Sequence, residues 1–364
     1  MFKHIQITIT KEIRMRTITK LFLGILTSAL LVLPTYAGEM TVTGGAKVTY
    51  TTSGAVGSES KSLGVANELD FTASGELDNG YAWTYQVQLD GATTANDDSK
   101  LTLATDMGTI GFYMSEGGMR QSLAHGVGAM GVGLDYSSTS TFQTGYNVNG
   151  YANVQYHTPT GMLPFATQIK VGYVPDMADT DMISGEGANS AITTAELGSN
   201  MKAINFSTAP IEGLSVKGDF HYTDDETGTP GVNGTEQGVS GNVGGKYTQG
   251  QISVGYTQGH SQPAVASGEL TYYENKFYGA QFEVNDQLSI SYNEDLSDRN
   301  TRNAPTIGAG LTSVSTLEMK QKSYQVAYTT GGATIGLTHL EVDNADYTAG
   351  KNESNNIVSL AISF

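Results

Sequence analysis

Residues 81–90 read Tyr81-Ala82-Trp83-Thr84-Tyr85-Gln86-Val87-Gln88-Leu89-Asp90, with large apolar side chains at every odd position and polar ones at 84, 86, 88 and 90. Successive side chains of an extended strand point to opposite faces, so this segment has one apolar face and one that suits water. The pattern recurs upstream. Residues 40–51 set Met40, Val42, Ala46, Val48 and Tyr50 against Thr41, Thr43, Lys47, Thr49 and Thr51. Residues 63–77 set Leu63, Val65, Leu69, Phe71 and Ala73 against Glu68, Asp70, Thr72, Ser74 and Glu76.

The same alternation predicts further strands near 100–105, 109–114, 151–158, 165–175, 201–208, 214–223, 238–248, 251–259, 270–284, 288–295, 314–330, 333–342 and 353–364, sixteen in all with the first three. The gaps alternate in kind. Those at 78–80, 106–108, 159–164, 209–213, 249–250, 285–287 and 331–332 are short, and the intervening ones, notably 115–150, 176–200, 224–237 and 296–313, are longer. A soluble sandwich alternates too, but short turns at one rim, long loops at the other and an even strand count are the signature of an outer-membrane barrel. The expected fold is therefore all-β, a 16-stranded antiparallel transmembrane β-barrel. Tyr50, Tyr81, Tyr113, Tyr151, Tyr173, Tyr222, Tyr247 and Tyr328 fall near strand ends, where an aromatic girdle would lie at the headgroups.

Composition narrows the class. The 364 residues include 45 glycines, 20 tyrosines and no cysteine, with 15% charged residues and a net charge of -17. Without cysteine there is no disulfide scaffold, and so acidic a chain does not suit nucleic acid, which needs a basic surface. Arg14, Arg16 and Lys20 precede the apolar run 21–33, and Thr35-Tyr36-Ala37 offers small residues for cleavage. Thirteen residues are too few to span a bilayer as a helix, so residues 1–37 are expected to be a secretory signal, with Met15 as a possible true start and 38–364 as the barrel domain. The chain closes on Val358-Ser359-Leu360-Ala361-Ile362-Ser363-Phe364, an alternating strand stopping on a terminal Phe.

A signal segment, sixteen strand candidates, a last strand ending in Phe364 and a longest loop in third position together resemble the general diffusion porins of Gram-negative bacteria, particularly the alphaproteobacterial type. Locally, Leu101-Thr102-Leu103-Ala104-Thr105-Asp106-Met107-Gly108-Thr109-Ile110-Gly111-Phe112 resembles the family's fourth and fifth strands. Asn153-Val154-Gln155-Tyr156-His157-Thr158-Pro159-Thr160-Gly161, followed by Ile169-Lys170-Val171-Gly172-Tyr173, is similar to the hairpin after the constriction loop. The resemblance implies a homotrimer in the bacterial outer membrane, in contact with its lipid and lipopolysaccharide, each barrel narrowed by a long third loop, here 115–150, folded into the lumen. It also implies passive diffusion of ions and small hydrophilic solutes without a cofactor, and Phe364 as an assembly signal through which the C-terminal strand meets the barrel-assembly machinery. The sequence departs from the family's basic wall: the first three strands present Lys47 but otherwise Glu68, Asp70, Glu76 and Asp90.

Parity nominates the residues of a wet lumen. Lys47, Glu68, Asp70, Asp90, Lys170, Lys217, Asp219, His221 and Lys246 all fall on the polar side, where rings of charge attract counter-ions. With Glu76, on the same polar parity, the acids outnumber the lysines and imply a mild cation preference. Loop three adds Glu116, Arg120, His125 and Asp135, of which Glu116 and Asp135 are the acids expected at the constriction. Gly126-Val127-Gly128-Ala129-Met130-Gly131 matches the dinucleotide fingerprint, but no helical pattern follows to receive a pyrophosphate. Asp176, Asp179, Asp181 and Glu186 lack the twelve-residue calcium pattern, so no metal site is expected. No His-Glu-x-x-His or Gly-x-Ser-x-Gly motif is present, and the chain is not read as an enzyme. The alternatives are a substrate-selective outer-membrane channel and a secreted β-rich adhesin without a pore.

Overall fold

The structure, a computed structural model, describes residues 39–55, 58–90, 98–120, 142–175, 177, 200–224, 237–263, 270–302 and 314–363. Residues 1–37, His125, Asp135 and Phe364 lie outside the described residues, as does the side chain of Asp90. The first eight strands are β1 (Glu39–Ala55), β2 (Ser58–Glu76), β3 (Ala82–Asp90), β4 (Asp98–Thr105), β5 (Gly108–Met114), β6 (Asn153–His157), β7 (Gln168–Val174) and β8 (Asn200–Ile211). The second eight are β9 (Leu214–Asp224), β10 (Val239–Gln249), β11 (Ile252–Gln262), β12 (Leu270–Glu283), β13 (Leu288–Arg302), β14 (Val314–Thr330), β15 (Ala333–Asp343) and β16 (Glu353–Ser363).

Each strand pairs antiparallel with its successor, and β1 pairs with β16 from Gly45↔Ser363 to Ala55↔Glu353, which closes the barrel. Closure leaves no strand edge exposed, the condition for a sheet to sit in hydrocarbon. Among the described residues no helix is long and apolar enough to cross a membrane. The tight turns gather at the rim that also carries the start of β1 and the end of β16. At one of them, between β14 and β15, Gly331 and Gly332 both take positive φ (56° and 83°), the backbone that a two-residue hairpin of the favoured hand requires.

Exposure separates the two faces. Leu337 and Val358 are 50% and 47% exposed, whereas Asn293 and Gln325 are 1% and 2% exposed. Apolar side chains thus point out and polar ones in, the reverse of a soluble core. The outer face of β14 reads Tyr328, Val326, Tyr324 and then Lys322 and Lys320, and that of β15 reads Ile335, Leu337 and then His339 and Glu341. Tyr278, Tyr292 and Tyr324 mark this change: the rings of Tyr292 and Tyr324 lie 5.1 Å apart, and the Tyr292 hydroxyl donates to Glu294, which pairs with Lys320 at 2.6 Å.

The largest differences from the sequence-based expectation lie in two places. The stretch 52–62, read as a loop, belongs to β1 and β2, which stay paired to Ala55↔Ser58. Likewise β13 continues past 295 to Arg302. In β13 the cause is the same outward change of character: past Tyr292, outward side chains such as Glu294 and Asp298 are polar, so both faces are wet and the alternation vanishes while the ladder continues. Of the girdle tyrosines, two are corrections: Tyr151 packs against the buried cluster of Met119, Val148 and Met201 at loop three, and Tyr113 also turns away from lipid. It lies on the inward face, opposite Lys100 and Asn153 in register, and is buried.

Val171, in the middle of β7 and facing out, tests this assignment. Val171→Arg is expected to cost about 2–4 kcal/mol of unfolding free energy in phospholipid vesicles, while Thr49→Arg on the lumenal face costs far less. Denaturant titration of both variants after folding into vesicles measures the difference.

Candidate functional site

The registers place Lys47, Glu68, Asp70, Lys170, Lys217, Asp219, His221 and Lys246 on the lumenal face. They divide into two walls. On β2, Glu68 accepts a hydrogen bond from Gln88 at 2.5 Å and Asp70 one from Gln86 at 2.7 Å, both amides reaching across from β3. Strands β9 and β10 stand seven and eight places from β2 around the ring of sixteen, so their Lys217 and Lys246 face the acids across the lumen. Lys170 joins them from β7, directly opposite His157 of β6. Lys170, Lys217 and Lys246 make no ion pair among the described residues, whereas Lys100 of β4 lies 3.7 Å from Glu116.

The stretches flanking the tip of loop three run along the inside of the wall, each fastened by polar side chains to the loop backbone. Asn153 of β6 donates to the Glu116 carbonyl at 3.1 Å, and Gln155 donates to that of Gly117. Asn205 of β8 donates to the Met119 carbonyl at 2.8 Å, and Asn275 of β12 to that of Gln143 at 3.1 Å. On β10, the Ser240 hydroxyl accepts from the Tyr146 N–H at 2.9 Å. Gly145 lies so close to this strand that a Cβ there would sit 2.3 Å from that of Ser240, and its φ of 98° also demands glycine. Apolar contacts reinforce both ends: Met119 and Val148 pack with Val174 and Met201, and Phe142 meets Phe277 edge-on at 5.2 Å.

Arg120 is turned toward the wall rather than the opening. Its guanidinium donates to the Gly145 carbonyl at 2.8 Å, tying the two limbs of the loop together. Burial pushes this guanidinium down from its ordinary value and the nearby charge of Asp219 pulls it back up; an arginine remains protonated under such opposing effects. Asp219 in turn accepts from Asn242 at 3.2 and 3.3 Å and lies 3.1 Å from Nδ1 of His221. This corrects the expectation that Asp219 and His221 line the water path. They are on the lumenal face, but at 8% and 0% exposure they lie beneath loop three.

The expected charged residues therefore serve two purposes. Lys47, Glu68, Asp70, Lys170, Lys217 and Lys246 keep partial access to the lumen, while Arg120 ties the two limbs of the loop and Asp219 and His221 lie buried beneath it. The anchors Asn153, Gln155, Asn205, Ser240 and Asn275 escaped the sequence reading, which followed charge; amides on the inward parity of successive strands were the available signal. Among the described residues no group of His, Cys, Asp and Glu is arranged to hold a metal.

Arg120→Ala removes the tie between the limbs, leaves the Gly145 carbonyl without its donor and takes a nearby positive charge from Asp219. The barrel is expected to lose about 1–3 kcal/mol of stability, the cost of a buried polar group left short of a partner. Limited proteolysis of the folded variant should cut loop three faster than in the parent protein.

No family model and no curated protein matches the chain. Solved structures do. The anion-selective porin from Comamonas acidovorans is similar over 90% of this chain and 100% of its own, at 16% identity and a TM-score of 0.61. The outer membrane channel DcaP of Acinetobacter baumannii is similar over 92% of this chain and 99% of its own, at 12% identity and 0.60. The trimer form of OmpT, an outer membrane protein of Vibrio cholerae, is similar over 89% and 99%, at 13% identity and 0.57. What the chain shares with these proteins is the fold of the porin barrel.

Proposed function

We propose that this chain forms a water-filled channel for passive diffusion of ions and small hydrophilic solutes across a bacterial outer membrane. The observation that carries this reading is the pairing of an apolar outer face with a polar inner one in a closed ring of sixteen strands. Half-exposed Lys47, Asp70, Gln86, Gln88 and Thr102 line the inner face from β1 to β4. Such a channel runs on the solute's own gradient and requires no cofactor or catalytic group. A homotrimer in contact with outer-membrane lipid and lipopolysaccharide is part of the proposal. Trimers are supported by the trimeric form of one structural relative, and the general-porin reading of alphaproteobacterial type by the local sequence likeness described above.

For selectivity, Glu68 and Asp70 support a mild cation preference. A second reading has its own observation: Lys170, Lys217 and Lys246 carry no carboxylate partner among the described residues, and a wall of unneutralised lysine favours anions.

Planar-bilayer recording of the refolded protein tests both levels. Large ohmic steps in groups of three are expected, and inserted protein that never conducts refutes the channel. Under a KCl gradient the reversal potential should carry the sign of K⁺ preference. Glu68→Gln with Asp70→Asn should move it toward Cl⁻, and Lys217→Gln the opposite way; a Cl⁻ preference in the parent protein selects the lysine reading.

A further inference from the structure

At the rim of the long loops, β12, β13 and β14 rise beyond the outer apolar band, and their inward faces surround one guanidinium with hydroxyls. Tyr273 stands opposite Arg299 in register, Thr271 opposite Thr301, and Thr301 opposite Ser315. These five residues line an open cavity of about 460 Å³, within the size range of small-molecule sites.

Arg299 has no carboxylate partner among the described residues. Instead its guanidinium carbon lies 5.5 Å from the centre of the Tyr347 ring, which is itself 5.2 Å from the ring of Tyr273. Tyr347 is held there against backbone preference. Its φ of 52° is in the left-handed region, disfavoured for a bulky side chain, and its hydroxyl is fixed 2.6 Å from that of Ser297. A guanidinium seated on an aromatic face is oriented without using its N–H donors, and among the described residues none takes up those of Arg299, whose fork suits a planar oxyanion.

We infer that this pocket captures a small solute bearing an oxyanion, a sugar acid being the class that fits: its carboxylate on Arg299, its hydroxyls on Thr271, Thr301 and Ser315, and its ring against Tyr273. Arg299 supplies the charge and its geometry the preference for a carboxylate over a spherical anion. The hydroxyl groups both donate and accept, as the alcohols of a sugar do. The site goes beyond the channel reading and does not depend on conduction.

Isothermal titration calorimetry of the refolded full chain in detergent tests it, with galacturonate as probe and galactose as the neutral control. The parent protein is expected to bind galacturonate at least tenfold more tightly than galactose. Arg299→Gln should abolish that difference, and Arg299→Lys, which keeps the charge but not the fork, should weaken galacturonate binding severalfold. Competition by millimolar inorganic phosphate would identify the oxyanion as the recognised group. Equal affinities of the parent and Arg299→Gln for galacturonate, or no binding by the parent, overturn the assignment. Circular dichroism confirms that each variant is folded, and Thr301→Val, which leaves Arg299 untouched, supplies an independent loss of a few-fold if Arg299→Gln does not fold. Bilayer recording of the same preparation separates the two claims. Conduction without galacturonate binding removes the site alone, and binding without conduction removes the channel alone.

Discussion

Peptide groups in a strand have to be paired, and in hydrocarbon only another strand can pair them. The contact between β1 and β16 meets that demand for the whole molecule, because it leaves the sheet without an edge. Once the backbone is satisfied within the ring, the outward side chains have no polar duty and can be Ile, Leu, Val and Tyr. The inward side chains are free of the membrane and can be charged. Every later feature of the lumen rests on this separation of duties between alternate residues.

Closure also creates an interior wide enough to be filled, and the protein fills part of it with backbone. Loop three brings carbonyls into a space where they need donors, and the wall supplies them as Asn153, Gln155, Asn205 and Asn275. Neutral amides suit this task. They satisfy the loop without importing charge, whereas Arg120, a half-buried cation, draws on both a carbonyl and the nearby charge of Asp219. The lysines and acids with access to the lumen are left for whatever passes.

Strand alternation made nearly all of the barrel legible in the sequence, because one face of each strand meets an apolar environment and the other water. It failed where that contrast ends, at 52–62 and beyond 295, since a ladder with polar side chains on both faces has no period to read. Parity correctly separated inward from outward for Lys170, Lys217 and Lys246. It says nothing of what else occupies the interior, so it could not distinguish a lumenal residue in water from one under a loop, and Asp219 and His221 are the result. Tyr113 was misread for a related reason: proximity to a strand end does not determine which face a ring takes. The loop anchors depend on contacts between residues as distant as Gln143 and Asn275, which no local pattern encodes.

The row of Tyr278, Tyr292 and Tyr324 acts as a waterline. A shift of the barrel along its strands by a single pair of residues, about 7 Å, would either draw the Glu294–Lys320 pair into hydrocarbon or lift Val326 and Leu337 out of it. Both errors are costly, so the depth at which the barrel floats is fixed to within less than one such step. The freeboard is uneven, however: β12, β13 and β14 stand clear on one side. A solute passing along β12, β13 and β14 from the loop side therefore meets Arg299 before it reaches the level of the lipid, a cation on a molecule whose overall charge is strongly negative.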